Sequence, residues 1–156
     1  MKYSLYVDFP FGRLLVTSND TVIQGVTFVG GKKKLKTTKN FPPVLLEARA
    51  QIEKYFLGEL RHFSLPLDKN LGSPFQKKVW SALQKIPYGE TWSYLDVARF
   101  IGQEKSCRAV GMANNRNPFV IVVPCHRVIN KNGELGGFGS GVDLKSWLLF
   151  QEKALL

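Results

Sequence analysis

The run Asp68-Lys69-Asn70-Leu71-Gly72 separates two kinds of hydrophobic periodicity, and this change of period limits the fold more than any other feature. A polar, glycine-containing stretch of this kind marks a linker. Before it, Leu5, Val7 and Phe9 alternate, Pro10-Phe11-Gly12 turns the chain, and Leu14, Leu15 and Val16 follow. Ser18-Asn19-Asp20 turns it again and residues 22–29 return. Turn chemistry and β-branched content predict an antiparallel meander. Pro43 then suits the first turn of a helix carrying Leu45, Leu46, Ala48, Ile52, Tyr55 and Phe56 at helical spacing, with Gly58 as its stop. Residues 63–67 read as a short extended piece.

Beyond the linker the period is helical. Ser73-Pro74-Phe75-Gln76 combines an N-cap serine, a proline at the first helical position and a glutamine able to close a capping box. Val79, Trp80, Leu83 and Ile86 form its apolar stripe. Ser93, with Asp96 as capping partner, opens a second helix that Gly102 stops, and residues 105–115 supply a third. This pair has the size of a DNA-binding helix-turn-helix, and equally of an ordinary helical hairpin. Its second helix carries Lys105, Arg108, Asn114, Asn115 and Arg116, which can reach phosphate or base, and Ala109, Gly111 and Ala113, which allow close approach to DNA or to the first helix. A last helix is expected from about Val142 to Ala154. The fold class expected is an α/β N-terminal domain, residues 1–70, with an antiparallel sheet plus helix. A mainly helical C-terminal domain follows, residues 71–156, with a helix-turn-helix.

Net charge is +10, and each half holds 11 basic and 6 acidic residues, so the excess is spread along the chain. An anionic partner is indicated, nucleic acid first. The lysines of residues 32–39 fit either a phosphate contact or a solvated loop. The two cysteines and two histidines of the 156 residues offer no zinc spacing and no disulfide framework. No structural zinc site is therefore expected. No apolar run approaches membrane-spanning length, and the absence of a signal peptide indicates an intracellular, reducing compartment.

Pro124-Cys125-His126-Arg127 follows the apolar run Phe119-Val120-Ile121-Val122-Val123. Residues 119–123 read as a buried strand ending at Pro124, which lacks an N–H for a sheet ladder. An imidazole and a guanidinium beside the thiol favour thiolate, the nucleophilic form. A buried cysteine acting as a small hydrophobe is the alternative. Cys125, His126 and Glu152 would supply thiol, base and orienter. On a strand, however, the neighbouring Cys125 and His126 side chains would point to opposite faces. A turn after Pro124, or a bridging water, would relieve that conflict.

Pro124-Cys125-His126-Arg127-Val128-Ile129 resembles the active-site signature of the O6-alkylguanine-DNA alkyltransferases (methylated-DNA–protein-cysteine methyltransferases). Tyr88-Gly89-Glu90-Thr91-Trp92-Ser93-Tyr94, Cys107-Arg108-Ala109-Val110-Gly111, Asn117-Pro118 and Trp147-Leu148-Leu149 with Glu152 extend the likeness in order along the second half. The resemblance implies a ribonuclease-H-like sheet in the N-terminal domain and a DNA-binding helix-turn-helix in the C-terminal one. It implies a DNA repair protein that flips O6-alkylguanine, chiefly O6-methylguanine, out of duplex DNA through the minor groove. The alkyl group passes irreversibly to Cys125 in a single turnover, with O4-alkylthymine as a lesser substrate. A monomer in solution, with no cofactor, is implied.

The likeness also assigns roles. Cys125 is the alkyl acceptor, and His126, through a water, and Glu152 are its relay. Tyr94 hydrogen-bonds the base and crowds the phosphate, while Arg108 fills the gap in the stack. Ala109, Gly111, Asn115 and Arg116 complete the DNA surface. The Val128 carbonyl, Gly139 and Trp147 form the base pocket, and Asn117 is the hinge between recognition helix and active site. Gly139 stands where many members have serine. A non-catalytic alkyltransferase-like binder and a plain helix-turn-helix regulator are the competing readings. The first usually replaces the cysteine, and the second leaves the Cys-His motif unexplained.

Overall fold

The computed structural model describes residues 1–30, 39–136 and 141–153. The chain divides into two compact units, Met1–Asn70 and Leu71–Leu156.

In the first unit, β1 (Tyr3–Phe9), β2 (Gly12–Ser18) and β3 (Ile23–Val29) form an antiparallel meander in the order β1-β2-β3. Leu5 pairs with Val16, Val7 with Leu14 and Val16 with Val26, so one face collects the apolar side chains. A register shift at Thr17/Ser18 lets both Val16 and Ile23 point inward. Helix α1 (Pro43–Phe56) covers that face with Leu45, Ala48, Ile52 and Tyr55, all fully buried. Leu45 and Ile52 each contribute about 1.5–3 kcal/mol of transfer free energy. The extended piece after α1 is tied down at two points. Gln51 accepts from Ser64 N at 3.0 Å and donates to Ser64 Oγ at 3.2 Å, and Leu67 bridges Ile23 in parallel.

In the second unit, α2 (Pro74–Leu83) starts at the expected capping box: Ser73 Oγ accepts from Gln76 N, and Gln76 Oε1 accepts from Ser73 N. Gly72 (φ +85°) turns against the indole of Trp80, where a Cβ would come within 2.5 Å, so any side chain there would collide with a buried ring. The Trp80 indole N–H donates to Ala113 O at 2.9 Å and locks α2 to α4 (Cys107–Asn115). Helix α3 (Tyr94–Phe100) opens on the second expected capping box, Ser93 with Asp96. Just before it, β4 (Trp92–Ser93) pairs in parallel with β5 (Val128–Ile129). This short pairing brings the start of α3 beside the segment after Cys125. Helix α5 (Val142–Gln151) closes the unit. Among the described residues no helix is long and apolar enough to cross a membrane, and no group of three His, Cys, Asp or Glu gathers as a metal site.

Residues 119–123 differ from expectation: they are overlapping turns, not a strand. Ile121 has φ 72°, and Val122 N donates to Val120 O at 2.8 Å across it, which is a γ-turn of the strained sign. A β-branched residue there costs about 1–3 kcal/mol. Asn117 sustains it. Its Oδ1 accepts from Phe119 N at 2.9 Å, and its Nδ2 donates to Val123 O at 2.6 Å and Phe119 O at 3.3 Å. The apolar run is the same as a strand would show, but an asparagine side chain takes the backbone groups a ladder would have taken.

Candidate active site

Pro124 (φ −81°, ψ 67°) is the centre of an inverse γ-turn, with Cys125 N donating to Val123 O at 2.8 Å. The chain then enters a 3-10 turn, Cys125–Arg127, closed by Arg127 N donating to Pro124 O at 3.1 Å. The turn removes the opposite-face conflict of a strand. Asn114 on α4 donates its Nδ2 to the Cys125 carbonyl at 3.3 Å, so α4 holds the Cys125 backbone directly. Cys125 is buried at 3 % exposure and is a free thiol. Burial pushes that thiol up, opposed by a hydrogen bond from Asn117 and the charge of Lys145. A thiol held protonated at rest needs a base to become a nucleophile.

The imidazole adjacent in sequence is fully buried. His126 Nε2 lies 2.8 Å from Glu152 Oε2, and its Nδ1 has no hydrogen-bond partner among the described residues. Glu152 also accepts from Arg127 Nε at 2.8 Å and Nη2 at 3.1 Å, while Arg127 Nη1 donates to the Ile86 carbonyl at 2.8 Å. Burial alone would raise the Glu152 carboxyl, yet His126 and Arg127 outweigh it and hold it well below the usual carboxylate range. Burial lowers His126 against the pull of Glu152, so the imidazole rests neutral. Arg127 is therefore the standing counter-ion of Glu152. The guanidinium is turned to Glu152 and Ile86, which corrects the expectation that Arg127 favours the thiolate. With Nε2–H donating to Glu152, Nδ1 carries the free lone pair and can accept a proton.

Tyr94 reaches the same region because β4 pairs with β5. A Cβ on Gly111 of α4 would sit 3.7 Å from the Tyr94 ring, and one on Gly136 would sit 3.3 Å from its hydroxyl oxygen. Tyr94 thus lies against both α4 and the segment after β5. Burial raises its phenol, so it keeps its proton to donate. Val128 is fully buried, and its carbonyl accepts from Lys145 Nζ at 2.5 Å. The second lone pair of that oxygen is not committed by this bond.

On α4, Arg108, Ala109, Asn115 and Arg116 are exposed and Gly111 is half-buried, whereas Val110, Ala113 and Asn114 face inward. The exposed residues share one face at helical spacing. Met112 lies on that face too, 56 % exposed.

Residues 74–154 match the family model described as 6-O-methylguanine DNA methyltransferase, DNA binding domain, and residues 1–69 match its ribonuclease-like domain. The chain belongs to the 6-O-methylguanine DNA methyltransferase family. It is 45 % identical over 152 residues to the methylated-DNA–protein-cysteine methyltransferase of Methanosarcina acetivorans, covering 96 % of each chain. It is 43 % identical over 160 residues to the constitutive enzyme of that name in Bacillus subtilis, covering 98 % of this chain and 96 % of that one. The crystal structure of Mycobacterium tuberculosis O6-methylguanine methyltransferase superposes with a TM-score of 0.85 at 38 % identity, covering 99 % and 94 %. Mycobacterium tuberculosis OGT in complex with DNA gives a TM-score of 0.85 at 41 % identity, covering 96 % and 91 %. The two-part fold expected from the sequence, α/β then helical, is the fold of this family.

Of the residues singled out in the sequence, the structure gathers Cys125, His126, Glu152, Tyr94, Val128 and Asn117 around one 3-10 turn. Trp147 is half-buried on α5. Gly139 and Lys32, Lys33, Lys34 and Lys36 lie outside the described residues, as does Ala154. Sequence reasoning missed Lys145 and gave Asn114 and Arg127 other partners. Asn114, expected to reach phosphate or base, is buried instead, and its inward register gives the bond to Cys125. Lys145 interrupts an apolar stripe, Leu144, Leu148 and Leu149, and that interruption was the available signal. Arg127 bears on the carboxylate, not the thiol.

Proposed function

We infer that this protein repairs alkylated DNA by moving the alkyl group from the O6 of guanine to Cys125 Sγ, once per molecule. The observation that carries the reading is the buried array of Cys125, neutral His126 and ionised Glu152 in a chain of this family. The Cys125 proton passes to His126 Nδ1, through a bridging water. Glu152, held ionised by Arg127, stabilises the imidazolium. The thiolate then attacks the O6-alkyl carbon: the C–S bond forms, the C–O bond breaks, and its electron pair goes to the purine. Tyr94 donates a hydrogen bond to the purine as that charge builds. Guanine leaves and is reprotonated, and the thioether stays on Cys125.

Reaching that carbon requires the nucleotide to leave the stack. The exposed face of α4 suits the minor groove, where Ala109 and Gly111 permit close approach and Arg108 fills the vacated position. The Val128 carbonyl and Trp147, with Gly139, serve the base pocket, and Asn117 couples α4 to the nucleophile. The protein acts as a monomer on duplex DNA containing O6-alkylguanine, within a reducing intracellular compartment, and takes O4-alkylthymine as a lesser substrate. Intact mass after mixing with an O6-methylguanine duplex tests this reading, with peptide mapping of the adduct. One methyl on Cys125 is expected. Tight binding of that duplex with no adduct would overturn the transfer and leave a damage-recognition protein.

A further inference from the structure

Met112 is one of two methionines in the chain, and it stands 56 % exposed on the outer face of α4. The other, Met1, lies at the N-terminus and is 86 % exposed. The transfer mechanism does not use Met112, and the fold does not rest on it, since α4 packs through Val110, Ala113 and Asn114. Arg108 precedes it by four residues and Arg116, at the C-cap, follows it by four. That spacing flanks the thioether with a guanidinium on either side along one ridge of the helix. Among the described residues neither guanidinium has an ion-pair or hydrogen-bond partner. Methionine is unbranched and polarisable, and it is among the apolar side chains that minor-groove binders set against base steps.

We propose that Met112 is an oxidation site that controls the duplex-binding face: as a thioether it packs dry against the minor groove, and as a sulfoxide it weakens that contact. The inference rests on the reading above of α4 as the face that meets DNA. Hydrogen peroxide is the co-reactant. The sulfur lone pair attacks one peroxide oxygen, the S–O bond forms as the O–O bond breaks, and the other oxygen takes the proton and leaves as water. Sulfur loses two electrons and the peroxide gains them. Two effects follow from the position of Met112. A sulfoxide is polar and loses hydration when it is pressed against the groove. Its oxygen is also an acceptor between Arg108 and Arg116, so it draws both guanidiniums back along the helix, away from phosphate and from the vacated position in the stack. The alkyl acceptor is spared, because Cys125 is buried at 3 % exposure and its thiol, pushed up by burial, is held protonated.

The test treats the wild-type protein with hydrogen peroxide and then with a thiol reductant, which reverses disulfides and sulfenic acids and leaves sulfoxides in place. Peptide mass mapping should find one added oxygen on Met112, with the exposed Met1 as the reference for reactivity. Fluorescence anisotropy with an O6-methylguanine duplex should show affinity about tenfold lower, the order expected when an apolar side chain loses its burial. The rate of reaction with free O6-benzylguanine should be unchanged. Methionine sulfoxide reductases for both epimers should restore the affinity. M112L keeps an apolar side chain without sulfur, so its duplex affinity should be the same before and after peroxide. M112Q, polar without any oxidant, should bind about tenfold more weakly than M112L, again the order of one lost apolar contact. Met112 left intact while Met1 is oxidised would overturn the proposal. So would a Met112 sulfoxide with unchanged duplex affinity, or an M112L protein that loses affinity after peroxide. Untreated protein that binds no such duplex would overturn the reading of α4 and this proposal with it. Untreated protein that binds the duplex but transfers nothing would overturn alkyl transfer alone, and the affinity measurements would still judge Met112.

Discussion

Glu152→Gln tests the relay and the packing of the site at once, because the carboxylate serves two partners. The wild-type oxygens take three hydrogen bonds, one from His126 and two from Arg127. Glutamine offers one oxygen and turns an NH2 toward donors. Arg127, only 6 % exposed, would keep the Ile86 carbonyl but lose its counter-ion. Removing one partner of such a buried pair costs about 3–5 kcal/mol. Transfer should slow by about 10²-fold or more, since the imidazolium loses its stabilising charge and the tautomer that frees Nδ1 is no longer enforced. Affinity for duplex DNA should change little. Stability carries a second signature in pH. The Glu152 carboxyl is depressed in the folded state, so its contribution is full above the unfolded carboxylate value of about 4.3 and is lost as pH falls through the folded value. The stability gap between wild type and E152Q should therefore narrow below about pH 4. Single-turnover quench kinetics and urea unfolding between pH 3 and 8, on the order of the range these titrations span, make the two measurements. An unchanged transfer rate would remove Glu152 from the mechanism, and a stability gap independent of pH would mean that the carboxylate's charge is not what the fold uses.

Four further outcomes are expected. Cys125→Ser should abolish labelled-alkyl uptake while gel shifts show duplex binding retained, because the hydroxyl is a far weaker nucleophile and the binding face lies on α4; loss of both would make Cys125 structural. Arg108→Ala should lower repair of duplex by roughly tenfold or more, yet spare reaction with free O6-benzylguanine, because only the duplex carries an unstacking cost of a few kcal/mol; equal losses would place Arg108 in the fold. Asn117→Ala leaves the Phe119 N–H and the Val123 carbonyl without the partners that hold the Ile121 turn, so chemical denaturation should show about 2–6 kcal/mol less stability, at the usual 1–3 per orphaned group. Stability of the wild type should also fall below about pH 6.5, because burial lowers His126 and the unfolded chain binds a proton that the folded chain refuses; a flat urea midpoint from pH 7 to about pH 5 would contradict a neutral buried imidazole.

How much of this was legible in the sequence depends on whether a residue's partner is local. Both capping boxes, Ser73 with Gln76 and Ser93 with Asp96, were readable because donor and acceptor lie three residues apart and the physics is complete within one turn. The meander was readable because alternation and turn residues specify it without distant help. Residues 119–123 were not, because an apolar run satisfies a strand and a buried set of turns alike, and the deciding hydrogen bonds come from the Asn117 side chain. The same limit governed Arg127. Proximity in sequence assigned it to Cys125, yet Glu152, 25 positions away, offers it two oxygens. Lys145 belongs to a third case, in which the pattern carries the evidence as a violation. A lysine among Leu144, Leu148 and Leu149 breaks the apolar face of α5, and a break that selection could remove with a methionine points to the Val128 carbonyl it serves. The strain at Ile121 completes the argument. Asn117 and Asn114 both reach from the recognition-helix side into the turns that carry Cys125. A displacement of α4 by DNA would therefore be transmitted to the nucleophile through two asparagines and a backbone already held off its minimum.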